Sequence, residues 1–335
     1  MSWLFLGLLI FAIVLFLLLI SQHTRLLQQN LVDFPRVRGE TIFVTPRGEF
    51  NPSLLRDEND LIILARGSTE THCSDADTLR AVARNIYRFT ENWWVEYRLN
   101  LTTGTVKKIR ELRQPELSES ADPRLYSSEN EIGALYSYYN GGKFRIKRMI
   151  LYREGKFVNE IESLKIPHDA PPQKNWNAFM DPEGRSVILT DPMDWHFVLN
   201  SNELPEISYN RKDVEKVLRN LNLGSLELRG SSPFVPFGDH QMIGILHVKN
   251  QGIVLHWIRS VIVVISEFAP YSIISHSPLV SFLDNSNRIE FVSGFAAGSG
   301  GCYYVSLGKS DCHGHVVRIK YEELSRHLTY RIKPL

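Results

Sequence analysis

Residues 120–140 read SADPRLYSSENEIGALYSYYN. A polar turn with Asp and Pro leads into an apolar, aromatic run of strand length. The phrase returns along the chain. FNPSLL…LIILARGS (50–68) is the first instance and residues 120–140 are the second. QKNWNAFMDPEGRSVILTDP (173–192), RGSSPFVPFGDHQMIGILHV (229–248) and NRIEFVSGFA…CYYVSLGKSD (287–311) follow. Phrases recurring about every 55 residues suit blades of four strands each. The expectation is an all-β chain whose residues 50–335 form a five-bladed β-propeller. In such a fold the first-strand ends of all blades converge on one channel. Between the phrases lie further short β-rich runs, such as WWVEYRLNL, FRIKRMILYR and GIVLHWI. Helical periodicity is confined to NRKDVEKVLRNLNL, where Val214, Val217, Leu218 and Leu221 recur at three- and four-residue steps.

The composition allows a large core, with 43% apolar and 11% aromatic residues in 335. Thirty-eight basic residues balance 37 acidic ones without a basic block, so nucleic acid is not an expected partner. Cys73, Cys302 and Cys312 make neither a disulfide framework nor a zinc site. Three free thiols are one reading of them. A Cys302–Cys312 pair, if adjacent strands bring the two together, is the other.

The N-terminus differs. Residues 3–20, WLFLGLLIFAIVLFLLLI, are uncharged and continuous. At about 1.5 Å per residue they nearly span a ~30 Å hydrocarbon layer. A cleaved signal would want a basic start and small residues at the cut, and the chain has no Lys or Arg before Arg25. Residues 1–22 therefore read as a single transmembrane helix and 23–49 as a stalk and edge strand, in the layout of a single-pass protein of the endoplasmic reticulum or Golgi. Arg25, Arg36 and Arg38 favour a cytosolic flank after the span. The Asn100-Leu-Thr102 acceptor favours a lumenal domain.

The set NPS…R, DPR, KNW, RGSSP…GILH and IEFVSG…GKSD resembles the five-bladed propeller carbohydrate enzymes. The similarity is to the β-mannoside phosphorylases and β-mannosyltransferases, over residues 50–318. The resemblance implies that Asp122 of DPR is the general acid. It implies that Asn51 and Arg66 hold the sugar, that Lys174 of QKNW binds anionic oxygen, and that His247 and Asp311 complete the site. The chain departs from the pattern at Ala121, where relatives carry Glu. It departs again at LTDPMDW (189–195), where they carry a His- or Arg-bearing phrase that contacts phosphate.

The residues read the same way by themselves. Glycosidic chemistry needs a proton exchanged with the bridging oxygen, usually by carboxyl groups. Asp122 serves if Arg124 turns away from it or pairs elsewhere, because a packed guanidinium favours an ionised carboxylate. The plain alternative is a turn Asp with a structural Arg. Asp311 of GKSDCHGH is the second carboxylate. Arg66, Lys174 and Arg229 are cations near strand ends that would stabilise a departing anion. Arg124 and Asn140, the latter closing the second phrase, join them as substrate-binding candidates. Trp176 and Tyr136, Tyr138 and Tyr139 offer stacking faces or ordinary core. His313 and His315 lack a third ligand, so no metal and no cofactor is expected. MDPEG (180–184) is a plain β-turn.

The leading expectation is a membrane-anchored glycosyltransferase that moves mannose or a similar hexose from a nucleotide sugar or sugar phosphate to a glycan. A glycoside phosphorylase or hydrolase on β-mannosides is the alternative enzyme. A non-catalytic glycan-binding propeller is the third reading.

Overall fold

The computed structural model describes residues 34–69, 91–118, 120–140, 143–164, 176–181, 183–189, 195–198, 206–207, 211–223, 226–251, 256–268, 271–283 and 289–332, with single residues 14, 15, 71 and 73. These residues are mostly β. All but Val14 and Leu15 of the apolar 3–20 segment lies outside them, and among the described residues no helix is long and apolar enough to cross a membrane.

The chain lays down strands in antiparallel groups. β1 (Glu40–Val44) comes first. β2 (Glu49–Asp57), β3 (Asp60–Ser68), β4 (Asn92–Asn100) and β5 (Val106–Leu112) form a meander. β6 (Ser120–Ser127), β7 (Glu131–Asn140), β8 (Lys143–Arg153) and β9 (Lys156–Ser163) form a second. β10 (Asn177–Met180), β11 (Ser186–Leu189), β12 (Trp195–Val198) and β13 (Glu206–Ile207) form a third. Helix α1 (Arg211–Asn220) follows as the sequence periodicity predicts. Val214 and Val217 are buried there, with Leu218 and Leu221 packed on the same cluster.

In the fourth group β14 (Glu227–Gly230) and β15 (Val235–Pro236) both pair with β16 (Gln241–Gln251), which continues to β17 (His256–Ser266) and β18 (Ile273–Val280). The fifth is β19 (Glu290–Ala297), β20 (Cys302–Lys309) and β21 (His313–Lys320), with β1 as its outer strand. Helix α2 (Tyr321–Arg326) and β22 (Tyr330–Arg331) end the described chain, β22 adding to β18. The fifth and first groups count as one eight-stranded sheet because Glu49 pairs with His313 across a single parallel contact.

Hydrophobic clusters fill the spaces between successive groups. Leu64, Trp94, Leu125 and Tyr136 meet between the first and second. Leu135, Ile146, Trp176 and Ile188 meet between the second and third. Strands packed on both faces need apolar residues at successive positions, which is why β3 reads LIIL rather than alternating. Residues 34–49 share in this packing: Val37 is fully buried, Phe34 lies on Trp257, and β1 pairs with β21.

The cysteines correct one expectation. Cys73 is bonded to Cys312, and Cys302 is the free thiol among the described residues. The β20–β21 register sets Cys302 opposite Lys320, at the far end of the hairpin from Cys312. A pair across that hairpin is therefore geometrically closed.

Candidate active site

Asp122-Pro123 corrects a second expectation. The dipeptide lies inside β6, not in a turn ahead of it, and the β6–β7 register shifts between Ala121 and Arg124. Asn51-Pro52 does the same in β2, where the register with β3 shifts between Phe50 and Ser53. Proline cannot donate to a ladder, so it settles where pairing is already interrupted, and a bulge re-aims the neighbouring side chain. In the fourth group Ser231-Ser232-Pro233 interrupts the run between β14 and β15. Each repeated phrase of this kind thus breaks the first strand of its group and turns a polar residue out of the ladder.

Two of these residues meet. Asn51 Nδ2 donates to Asp122 Oδ1 at 2.9 Å. Asn51 takes a left-handed backbone (φ 48°) to do so. Its Oδ1 occupies the space beside Gly308, where a Cβ would lie 1.7 Å away. Only glycine at 308 admits that approach. Arg66 Nη1 stands 3.5 Å from the same Asp122 oxygen. Its Nε donates to Asn92 Oδ1 at 3.0 Å, its guanidinium lies over Phe50, and Asn92 is itself tied to the Ser118 carbonyl. Arg66 is thus fixed from three sides before any ligand arrives.

Arg124 has a different fate. Its side chain is buried, stacks on Phe291 and donates Nη1 to the Pro123 carbonyl. Nε and Nη2 have no hydrogen-bond partner among the described residues. Burial pulls its pKa down to about 10, against the attraction of Asp122, so it stays charged at neutral pH. His247 is also buried and packs edge-on against Phe291. Burial first, then Arg229, Arg124 and Lys249, pull it down to about 3 and keep it neutral. Its Nδ1 and the Oγ of Ser260, its register partner on β17, lack hydrogen-bond partners too. Lys249 is lowered by burial and Arg229, and Asp311 opposes that shift. Arg229 pairs with Glu227 beside it.

Asn51 and Arg66 contact Asp122, Asp122 attracts Arg124, and Arg124, Arg229 and Lys249 act on His247, while Asp311 is linked through its attraction to Lys249, a residue the sequence reading did not single out. Lys249 sits two residues beyond His247 on the same face of β16, and that spacing was its signal. Lys174 lies outside the described residues, as does the side chain of Asn140. Trp176 is buried between sheets, and Tyr136 packs edge-on against Trp94 as core. Asp122, Arg124, Leu135, Ser137, Ile146 and Trp176 border a small depression that opens to solvent. Asp181 of MDPEG caps its own turn through the Glu183 and Arg185 amides. Among the described residues no cluster of three potential metal ligands occurs.

Several solved proteins share this fold. A β-1,2-mannobiose phosphorylase from Listeria innocua matches with a TM-score of 0.58 at 10% identity, over 85% of this chain and 93% of its own. A mannose phosphorylase from Leishmania mexicana, solved with phosphate, matches at 0.54 and 11% identity over 94% and 98%. A GH130-family glycoside hydrolase that targets β-1,2-mannosidic linkages in Candida mannan matches at 0.54 and 10% over 91% and 94%. These neighbours are the β-mannoside phosphorylases and related hydrolases that the motifs resemble. At such identities the fold is what is shared. No family model and no curated protein matches the sequence.

Proposed function

We propose that this chain is a glycan-processing enzyme, a phosphorylase of β-mannosides, built as a five-bladed propeller with Asp122 as general acid. The five antiparallel groups would be the blades, and the interrupted first strands would line the channel. The transferase reading finds no support among the neighbours, whose names are those of phosphorylases and hydrolases.

The observation that carries the reading is the buried, incompletely partnered guanidinium of Arg124 two residues from Asp122. Burial outweighs its attraction to Asp122, which Arg66 shares, and a buried cation so poorly balanced is costly, so such a group is kept where a ligand supplies further negative charge. Inorganic phosphate meets that need. One phosphate oxygen attacks the anomeric carbon. The bond to the leaving sugar breaks, and the proton on Asp122 moves to the departing oxygen, giving a sugar 1-phosphate and a shortened glycan. Asn51 and Arg66 would orient Asp122, and Asp311 would accept hydrogen bonds from sugar hydroxyls. The substrate class follows the neighbours, with β-1,2-mannobiose the first to try.

Hydrolysis on the same scaffold is the second reading, favoured by the absence of a His- or Arg-bearing phrase at 189–195. The two separate cleanly. Phosphorolysis predicts mannose 1-phosphate from β-1,2-mannobiose only when phosphate is present. Free mannose without phosphate would favour hydrolysis instead. No turnover of either kind, with glycan binding retained, would leave a lectin. The Cys73–Cys312 bridge supports assembly on the oxidising side of a membrane.

A further inference from the structure

Cys312 is buried and follows Asp311 directly. The turn that carries both is conformationally expensive: Ser310 (φ 51°) and Asp311 (φ 48°) are successive left-handed residues. Asn-Gly is the pair that adopts such a turn without strain, and a non-glycine residue there costs on the order of 1–2 kcal/mol. Strained positions persist only where the surroundings over-determine them. Here the surroundings are countable. The Ser310 amide donates to the Ile289 carbonyl at 3.1 Å, and the Cys312 amide closes on Lys309 at 3.0 Å. The Gly48 amide reaches the Cys312 carbonyl at 2.9 Å. The fourth tie is covalent, from Cys73, whose strand of origin ends at Ser68 in a different group. The two cysteines are 239 residues apart in sequence. The sheet neighbouring Asp122 is thereby fastened to the turn that presents Asp311.

We propose that the Cys73–Cys312 disulfide is a positioning element for Asp311, holding the left-handed turn that presents this carboxylate to bound sugar, so that substrate affinity depends on the redox state of the pair. The proposal rests on the sugar-binding role given to Asp311 above. Reduction by a dithiol transfers two electrons and two protons, yields the Cys73 and Cys312 thiols, and leaves the reductant as its own disulfide. With the covalent tie gone, the turn keeps its hydrogen bonds but can relax out of the left-handed region. Asp311 then spends less time in the geometry that accepts hydroxyl protons. The effect belongs in KM, since the Asn51–Asp122 and Arg66–Asn92 hydrogen bonds that orient Asp122 involve no atom of the bridged turn.

The test uses the full chain in three forms: oxidised, dithiol-reduced, and Cys73→Ser. Hydrogen exchange of the Lys309–His313 amides is read without ligand, and KM and kcat are read with β-1,2-mannobiose. Breaking the bridge is expected to speed exchange in that turn. It should raise KM about threefold to tenfold, the weakening of one hydrogen bond, with kcat unchanged within about twofold on the same scale. In an Asp311→Asn background, loss of the bridge should leave KM where that substitution put it, because the two act through one group. Unchanged exchange, or an unchanged KM with only a lower melting temperature, would overturn the proposal: the bridge would then be a staple and nothing more. A wild-type protein without turnover would sink the phosphorylase reading, and exchange would then decide the strap alone.

Discussion

Two clusters of buried charge, one around Glu96 on β4 and one around Arg124 on β6, are built on opposite principles. Glu96 on β4 is fully buried, and its neutralisation is internal. Arg110 Nε stands 3.0 Å from one carboxylate oxygen, Arg98 Nε 3.7 Å from the other, and the Tyr152 hydroxyl of β8 donates to it. Arg110 also lies over Phe157, at 3.7 Å from the ring centre. Every charge here has its opposite within the fold, although Glu96 Oε2 and Arg110 Nε meet as an ion pair without hydrogen-bond geometry, and the cluster ties the first group to the second. Around Arg124 the balance is left open. Two guanidinium nitrogens of Arg124, Nδ1 of His247 and the Ser260 hydroxyl have no hydrogen-bond partners among the described residues, and three cations, Arg124, Arg229 and Lys249, act on His247. Buried charge that is closed holds a structure together.

The contrast can be broken by substitution. The largest effect should come from Asp122→Asn, which keeps shape and removes the titrating proton. Turnover of β-1,2-mannobiose should fall about 10²–10⁴-fold, with the melting temperature within a few degrees of wild type. Wild-type turnover in this variant would make Asp122 a structural residue. Glu96→Gln should do the reverse, lowering unfolding free energy by about 3 kcal/mol while sparing the specific activity of the folded fraction. Denaturant titration and assay of the same sample read both.

Arg124→Met sits between them. Removing one charged hydrogen-bond donor set should raise the KM for phosphate about 10–100-fold. Stability should change little, since burial of this charge already outweighs its attraction to Asp122, and Asp122 keeps Arg66 and Asn51. A sharp loss of stability would place Arg124 with the closed cluster. The smallest effect is in pH. His247 is held neutral to about pH 3 in the folded chain against an ordinary value of 6.5. The unfolded chain therefore takes up a proton first as pH falls below 6.5, and stability is lost from there down to about pH 3. At pH 5 the loss is roughly 2 kcal/mol. Unfolding measured at pH 7 and pH 5 should show that difference in the wild type and not in His247→Gln.

The sequence carried the open cluster better than the closed one. Asn51 and Asp122 stand out because each precedes the proline that opens its phrase, Arg66 and Arg229 are cations near strand ends, and His247 and Asp311 were legible through the family resemblance. Glu96 does not stand out. In WWVEYRLNL it reads as the polar side of an ordinary alternating strand, and only the packing of sheets on both faces buries it. The DP and NP dipeptides mark interruptions in either reading, but a turn and a bulge share the same residues, and the register that separates them depends on the partner strand. The Cys73–Cys312 bond joins a connecting segment to a hairpin in another group, so no local pattern announces it. The α1 periodicity is local and was legible in full.

β1 is the first strand among the described residues and β21 is its partner, with Glu40 and Arg318 in contact across 278 residues. At ~5–20 residues per second of synthesis, roughly a quarter of a minute to a minute passes before that partner exists. Throughout that interval β1 has no ladder to join, and each intermediate length of chain ends in an exposed strand edge able to pair with a neighbour on the same ribosome array. The chain's order of manufacture thus sets a need for protection that its finished form conceals, and expression yield should respond to chaperone supply and translation speed more than to the stability of the completed molecule.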